Sequence, residues 1–160
     1  MRIRKTLEKD LNELDKIFNA ARSFMAATGN PTQWNLSYPT SEVVAQDIKD
    51  NNAYVCVDDN DKPLGTFALL DYESAYDNID GSWISNEPYV VIHRLATKPS
   101  MKVGSFIITH LQNKYPHIKI DTHQDNKVMQ GLLDKFNFKR CGIITIPGHG
   151  ARIAFEFLRN

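Results

Sequence analysis

Apolar and polar positions alternate along the chain with two periods, and the switches between them mark the elements. Arg2–Lys5 reads as a short first strand, and Thr6 as a cap able to accept a backbone N–H at the start of the next helix. Leu7, Leu11, Leu14, Phe18, Ala21 and Met25 recur at steps of four and three, which lays one apolar stripe along a helix. That helix is predicted to end near Gly29, because Pro31 cannot continue it. The stretch from Gly29 to Pro39 is rich in turn formers yet carries Trp34 and Tyr38. A second helix is predicted over Ser41–Asp50, capped by Thr40 or Ser41, with Val44 and Ile48 facing inward. Ala53–Val57 and Leu64–Leu70 are β-prone runs separated by a polar turn, the mark of a hairpin.

From Asp71 to Pro88 the pattern breaks down into a long loop or partly helical insertion holding Tyr72, Tyr76 and Trp83. Tyr89–Thr97 is the next predicted strand, followed by a loop through Gly104 and a helix to about Tyr115, stopped by Pro116. His117–Thr122 is a strand. Asp125 or Asn126 caps a helix whose stripe is Val128, Met129, Leu132, Leu133 and Phe136, and Asn137 suits a left-handed closing position. Gly142–Ile146 and Arg152–Phe157 flank Pro147–Gly150 and read as a closing hairpin. The order β-α-α-β-β-(insertion)-β-α-β-α-β-β predicts an α/β (α+β mixed) protein. Its mixed, mostly antiparallel sheet carries helices on both faces.

Composition narrows the function classes. The 160 residues suit one domain spanning 1–160, with 42% hydrophobic and 24% charged residues. Lys plus Arg equals Asp plus Glu at 19 each, a balance that argues against nucleic acid and membrane-surface partners. Cys56 and Cys141 are too few for a disulfide framework and lie in no metal-like spacing. The first ten residues lack a signal peptide's apolar core, and no apolar run reaches membrane-spanning length. A soluble, cytoplasmic protein is expected.

The element order, together with three stretches, resembles the GNAT (Gcn5-related N-acetyltransferase) family over essentially the whole chain. Tyr89–Thr97 is similar to that family's fourth strand. The loop through Val103 and Gly104 into Ser105–Lys114 is similar to its pyrophosphate loop, usually written Q/R-x-x-G-x-G/A. Asp121–Phe138 is similar to its fifth strand, Asn and following helix. The Trp34/Tyr38 loop and His93-Arg94-Leu95 also resemble a bacterial GNAT subgroup of unassigned substrate. The loop departs from the pattern. If Gly104 is its last glycine, Lys102 and Pro99 replace the first Gly and the Gln or Arg. If it is the first, Phe106 crowds the small-residue slot. The former alignment is preferred, since it leaves Ser105 in the helix's opening turn.

The resemblance implies acetyl-CoA as co-substrate, no metal, and a sheet splayed between the family's strands 4 and 5. Coenzyme A's pyrophosphate would meet the N–H groups of Val103, Gly104 and Ser105, with Lys98 or Lys102 adding charge. The same residues would also suit an ordinary strand-to-helix turn. The pantetheine arm would pair with the main chain of the Leu95-Ala96-Thr97 segment, chiefly at Leu95 and Thr97, and Asn126 matches the family's Asn, a reading compatible with a helix cap.

Acyl transfer to an amine needs a group that takes the amine's proton. The family's Glu on that strand falls here at His93, whose imidazole can do the same work. The family's acid, a Tyr, falls at Leu133, which leaves water, His123 or Cys141. Arg94 should point to the face opposite His93, with Asp121 on the next strand a candidate partner. Trp34, Tyr38, Tyr72, Trp83 and Tyr89 would line the acceptor pocket for a primary amine of a small molecule or peptide, or else serve as core. A homodimer is expected from the resemblance. The competing reading is a non-catalytic acyl-CoA-binding or regulatory module, motivated by the eroded glycine loop and the missing Tyr.

Overall fold

The computed structural model describes residues 1–35, 37–99 and 101–160 and joins eight strands among them in one sheet. The strands are β1 (Arg2–Lys5), β2 (Ala53–Val57), β3 (Pro63–Leu70), β4 (Asp80–Gly81), β5 (Val90–Thr97), β6 (His117–Thr122), β7 (Lys139–Ile146) and β8 (Gly150–Leu158). They lie in the order β1-β2-β3-β5-β6-β8-β7-β4. Every neighbouring pair is antiparallel except β5 and β6. The helices are α1 (Leu11–Ala27), α2 (Ser41–Lys49), α3 (Val103–Lys114) and α4 (Lys127–Lys135). None is long and apolar enough to cross a membrane among the described residues.

Strand alternation sorts the core to two faces. On one face Ile92, Leu95, Ile118, Ile120 and Phe155 pack against α3 and α4 through Ile107, Leu111 and Leu133. On the other, Val55, Val57 and Ala96 pack against α1 and α2 through Leu14, Ile17, Phe18 and Val44. The insertion covers the rest of that second face, where Tyr76 is buried with Val91, Ile144 and Ala154. It is partly ordered, as a turn of 3₁₀ helix over Ser74–Asp77 and the two-residue strand β4. Gly81 of β4 faces Gly142 of β7 with φ of 135° and 148°. A Cβ on either would fall 2.1–2.2 Å from the opposite backbone, so only glycines permit this seam.

Several sequence expectations need correction. Thr6 does not cap α1. Its N–H continues the β1 ladder to the Ala53 carbonyl, its hydroxyl is buried without a partner among the described residues, and a 3₁₀ turn at Glu8–Asp10 intervenes before α1. Leu7 therefore precedes the helix and is exposed, while Ile17 joins the buried stripe. Val128 is also exposed, because it sits in the first turn of α4 on the outer side. The caps read at Thr40 and Asn126 are present, each side chain accepting from the N–H three residues on. Asn137 has the left-handed φ of 63°.

Candidate active site

The parallel pair β5–β6 is joined only at Val90↔Ile118 and Val91↔Lys119, after which the strands part. On its other side β5 stays in register with β3 to Thr97. Lys98 donates its N–H to the Leu64 carbonyl at 2.8 Å, which fixes the phase of that ladder. Alternation then turns the amide and carbonyl of Thr97, and of Leu95 two residues earlier, toward the open gap. Ala96 turns its main chain to β3 and its side chain into the α1–α2 face.

A β-bulge interrupts β5 inside this region. Arg94 has φ of 52°, and the register slips so that Arg94 and Leu95 together face Phe67. An inserted residue cancels one step of alternation. His93 and Arg94 therefore emerge on the same face, against the sequence expectation of opposite faces. The partner of Arg94 is also different. It makes two hydrogen bonds of 2.7 Å to Asp47 on α2 and one of 3.3 Å to the Tyr38 hydroxyl, and none to Asp121.

A cavity of about 120 Å³ opens where β5 and β6 part, and His93, Arg94, Leu95, Trp34, Tyr38 and Asn126 all line it. His93 Nε2 lies 3.0 Å from Glu73 Oε1. That hydrogen bond from His93 holds the Glu73 carboxyl below its ordinary pKa, so Glu73 is an anion and Nε2 must carry the proton. Nδ1 has no hydrogen-bond partner among the described residues. Asp121 lines the same cavity and accepts the Tyr76 hydroxyl at 2.6 Å. Burial raises the Asp121 pKa, against the pull of His93 and Tyr76.

The loop before α2 is tied to the end of β6 chiefly by Gln33, with a further contact of 3.4 Å between Thr32 Oγ1 and His123 Nε2. Gln33 Oε1 accepts from Asn126 Nδ2 at 3.0 Å, Thr122 Oγ1 at 3.2 Å and the His123 amide at 3.3 Å. This fixes Trp34 and Tyr38 over the cavity, where Phe18, Trp34, Tyr38 and His149 form a run of ring contacts 4.5–6.3 Å apart.

Among the described residues, the start of α3 beside the gap has free donors. α3 begins at Val103 after Lys102, which is left-handed at φ 53°. Phe106 is the first residue to donate back along the helix, to the Lys102 carbonyl. The amides of Val103, Gly104 and Ser105 have no acceptor among the described residues, as expected for a helix's first turn. A Cβ on Gly104 would lie 3.3 Å from Leu132 Cδ2, so its missing side chain gives α4 room beside the start of α3. Lys102 is exposed, whereas Lys98 reaches Glu13 on α1 at 3.5 Å.

Other residues singled out from sequence lie elsewhere. His123 lines a neighbouring cavity of about 200 Å³, and its Nδ1 accepts the Asp125 amide at 3.0 Å. Tyr72 is exposed beside Asp77. Trp83 and Tyr89 sandwich the Lys119 ammonium at 4.1 and 4.0 Å, and Trp83 donates to the Tyr76 carbonyl. Trp83 and Tyr89 pack the insertion onto the sheet, and neither they nor Tyr72 line the cavity. Leu133 is fully buried in the α3–α4 core. Cys141 sits by Glu156, where burial and that carboxylate push its pKa up to about 11. Sequence reasoning missed Glu73, Gln33, Asp47, His149 and Arg152. Only the Gly-His-Gly of Pro147–Gly150 offered a signal, a polar side chain on a tight turn.

No family model and no curated protein matches the sequence. Solved structures do. A GNAT-family acetyltransferase from Streptococcus agalactiae is 27% identical, with a TM-score of 0.86 over 99% of this chain and 95% of that one. A GNAT-family acetyltransferase from Listeria monocytogenes, 13% identical, superposes with a TM-score of 0.70 over 98% and 94%. A phosphinothricin acetyltransferase from Sinorhizobium meliloti in complex with AcCoA, 11% identical, gives 0.64 over 99% and 88%. Agreement along the whole length with these acetyltransferases places the chain in the GNAT fold, as an α/β protein of the acyl-CoA N-acyltransferase architecture.

Proposed function

We propose that the protein is an N-acetyltransferase that moves an acetyl group from acetyl-CoA to a primary amine of a small molecule or peptide. The observation that carries this reading is the meeting of two features at one place: a parted β5–β6 edge, and an oriented imidazole, His93, lining the cavity beside it.

Acetyl-CoA supplies an activated acyl thioester. The outward main chain of Leu95 and Thr97 pairs with the amide groups of the pantetheine arm, as an added strand would. The first-turn amides of Val103, Gly104 and Ser105 take the pyrophosphate, with Lys102 adding a positive charge. Asn126 keeps its cap on α4 and borders the acyl end of the groove. At that end His93 Nδ1 removes a proton from the acceptor ammonium, freeing the nitrogen lone pair for attack on the acyl carbon. The new C–N bond forms as the C–S bond breaks, and water reprotonates the departing thiolate, so Leu133 in the acid's place is no obstacle. Glu73 holds the imidazole in the tautomer that leaves Nδ1 open, and its charge stabilises the imidazolium that results.

Cys56 and Cys141, both free, suit a reducing cytoplasmic setting. The test is thiol release from acetyl-CoA with a panel of primary amines. His93→Ala should cut kcat by about 10²-fold or more while acetyl-CoA affinity holds. An unchanged rate would remove His93 from the mechanism.

A further inference from the structure

Arg152 is a buried cation, 5% exposed, with no carboxylate at ion-pair distance among the described residues. Its guanidinium donates to three backbone carbonyls, those of His149 at 2.7 Å, Ala151 at 3.0 Å and Gln33 at 3.0 Å. A guanidinium carries five N–H groups in a planar fork, so donors remain, and the side chain lines the cavity that holds His93. Carbonyls aim the fork without cancelling its charge, and a buried charge lacking a counter-ion is costly.

The surroundings accentuate that charge. His149 stands beside Arg152 and meets the Tyr38 ring at a tilt, centroids 4.5 Å apart. Burial, then the positive charges of Arg152 and Arg94, push the pKa of its imidazole down. The negative groups lie along the sheet. Asp121 on β6 is paired in register with Ala154 on β8, and Arg152 lies two residues further along β8 on the same face. That is a separation of about 7 Å along the strand. Asp121 attracts Arg152 through space without touching it. A carboxylate and a spare guanidinium thus face one cavity with a gap between them, beside the His93–Glu73 pair.

We propose that the acceptor is a small zwitterion of the amino acid type, its carboxylate taken by Arg152 and its ammonium drawn to Asp121 and His93. A peptide N-terminus fits less well, because its first carboxyl is already an amide and brings no charge to Arg152. A carboxylate can pair with the guanidinium's fork through charge-assisted bonds, which a carboxamide cannot match. The fate of the amine rests on the transferase reading; recognition of the carboxylate does not.

The experiment is calorimetric titration of the common free L-amino acids, their carboxamides and short peptides into the wild-type protein with coenzyme A present. At least one free amino acid should bind, with its carboxamide at least about tenfold weaker. Arg152→Gln should erase that difference and leave acetyl-CoA affinity unchanged. Equal binding of acid and carboxamide, preference for peptides, or binding of none of them would overturn the proposal. Arg152 also ties down three carbonyls, so its variant is checked by circular dichroism. The acid–carboxamide comparison needs only the wild type and decides the matter if the variant unfolds. Because the readout is binding, a protein that holds an amino acid yet transfers nothing would sink the transferase reading and leave recognition of the carboxylate by Arg152 standing.

Discussion

Arg94 and Asp47 meet through two parallel hydrogen bonds of 2.7 Å, which join the bulge of β5 to α2. Both side chains are largely shielded, at 15% and 13% exposure. The pair holds a non-glycine residue in a left-handed conformation and so keeps His93 turned to the cavity. Asp47→Ala leaves the guanidinium without its counter-ion and should cost about 3 kcal/mol. Urea denaturation would show this as a lower midpoint at an unchanged slope.

Glu73 and Asp121 should respond to acid with opposite signs. Hydrogen bonding from His93 depresses the folded pKa of Glu73 below 4.5, so it contributes stability above that value and loses it as pH falls through the folded pKa. Glu73→Gln should therefore be less stable than wild type at pH 7, with the difference closing in acid. Burial raises Asp121 above 3.8, so its ionised form opposes folding at neutral pH, and the opposition is relieved as pH falls through the raised value. Asp121→Asn, which still offers the Tyr76 hydroxyl an acceptor, should be more stable at pH 7 and lose its advantage on acidification. Thermal melts across pH check both signs.

On activity, Glu73→Gln should lower kcat, by roughly tenfold to a hundredfold, with the KM for acetyl-CoA unchanged. Its loss should not add to that of His93→Ala, because Glu73 acts only through the imidazole. A double-mutant cycle in steady-state kinetics measures this. Full additivity would show that Glu73 works independently of His93.

Two glycines near the gap should differ. A Cβ on Gly65 would lie 2.8 Å from Val103 Cγ1 and 3.2 Å from the Ala96 carbonyl oxygen. Gly65→Ala should cost about 1–3 kcal/mol and push the start of α3 outward, weakening acetyl-CoA binding. Gly104→Ala meets only the flexible tip of Leu132 and should be milder in both respects. Calorimetry of the two variants side by side tests the contrast.

The strand and helix order was legible because nearly every element carries its own period or stop: the hairpin at Asp58–Lys62, the apolar stripe of α1, and Pro116 after α3. The place of His93 at the cavity was legible only through the resemblance, which set it where that family's strand carries a Glu. Its partner was not. Glu73 lies in an insertion without periodicity and reaches His93 only after Tyr76 is buried on the sheet. The bulge at Arg94 was equally hidden, since nothing local in Ile92-His93-Arg94-Leu95 marks a left-handed residue. Alternation then assigned Arg94 to the wrong face and to Asp121 in place of Asp47. Trp83 and Tyr89 looked like pocket aromatics because sequence cannot reveal that Lys119 rises between them.

The central claim is that the open edge of β5 and the start of α3 hold an acyl-CoA. Backbone amide NMR of the ¹⁵N-labelled 18.2 kDa protein, titrated with acetyl-CoA, tests it directly. The account predicts saturable shifts concentrated at Leu95, Thr97, Val103, Gly104 and Ser105. Those five amides standing still at saturating acetyl-CoA, with or without shifts elsewhere, would contradict it.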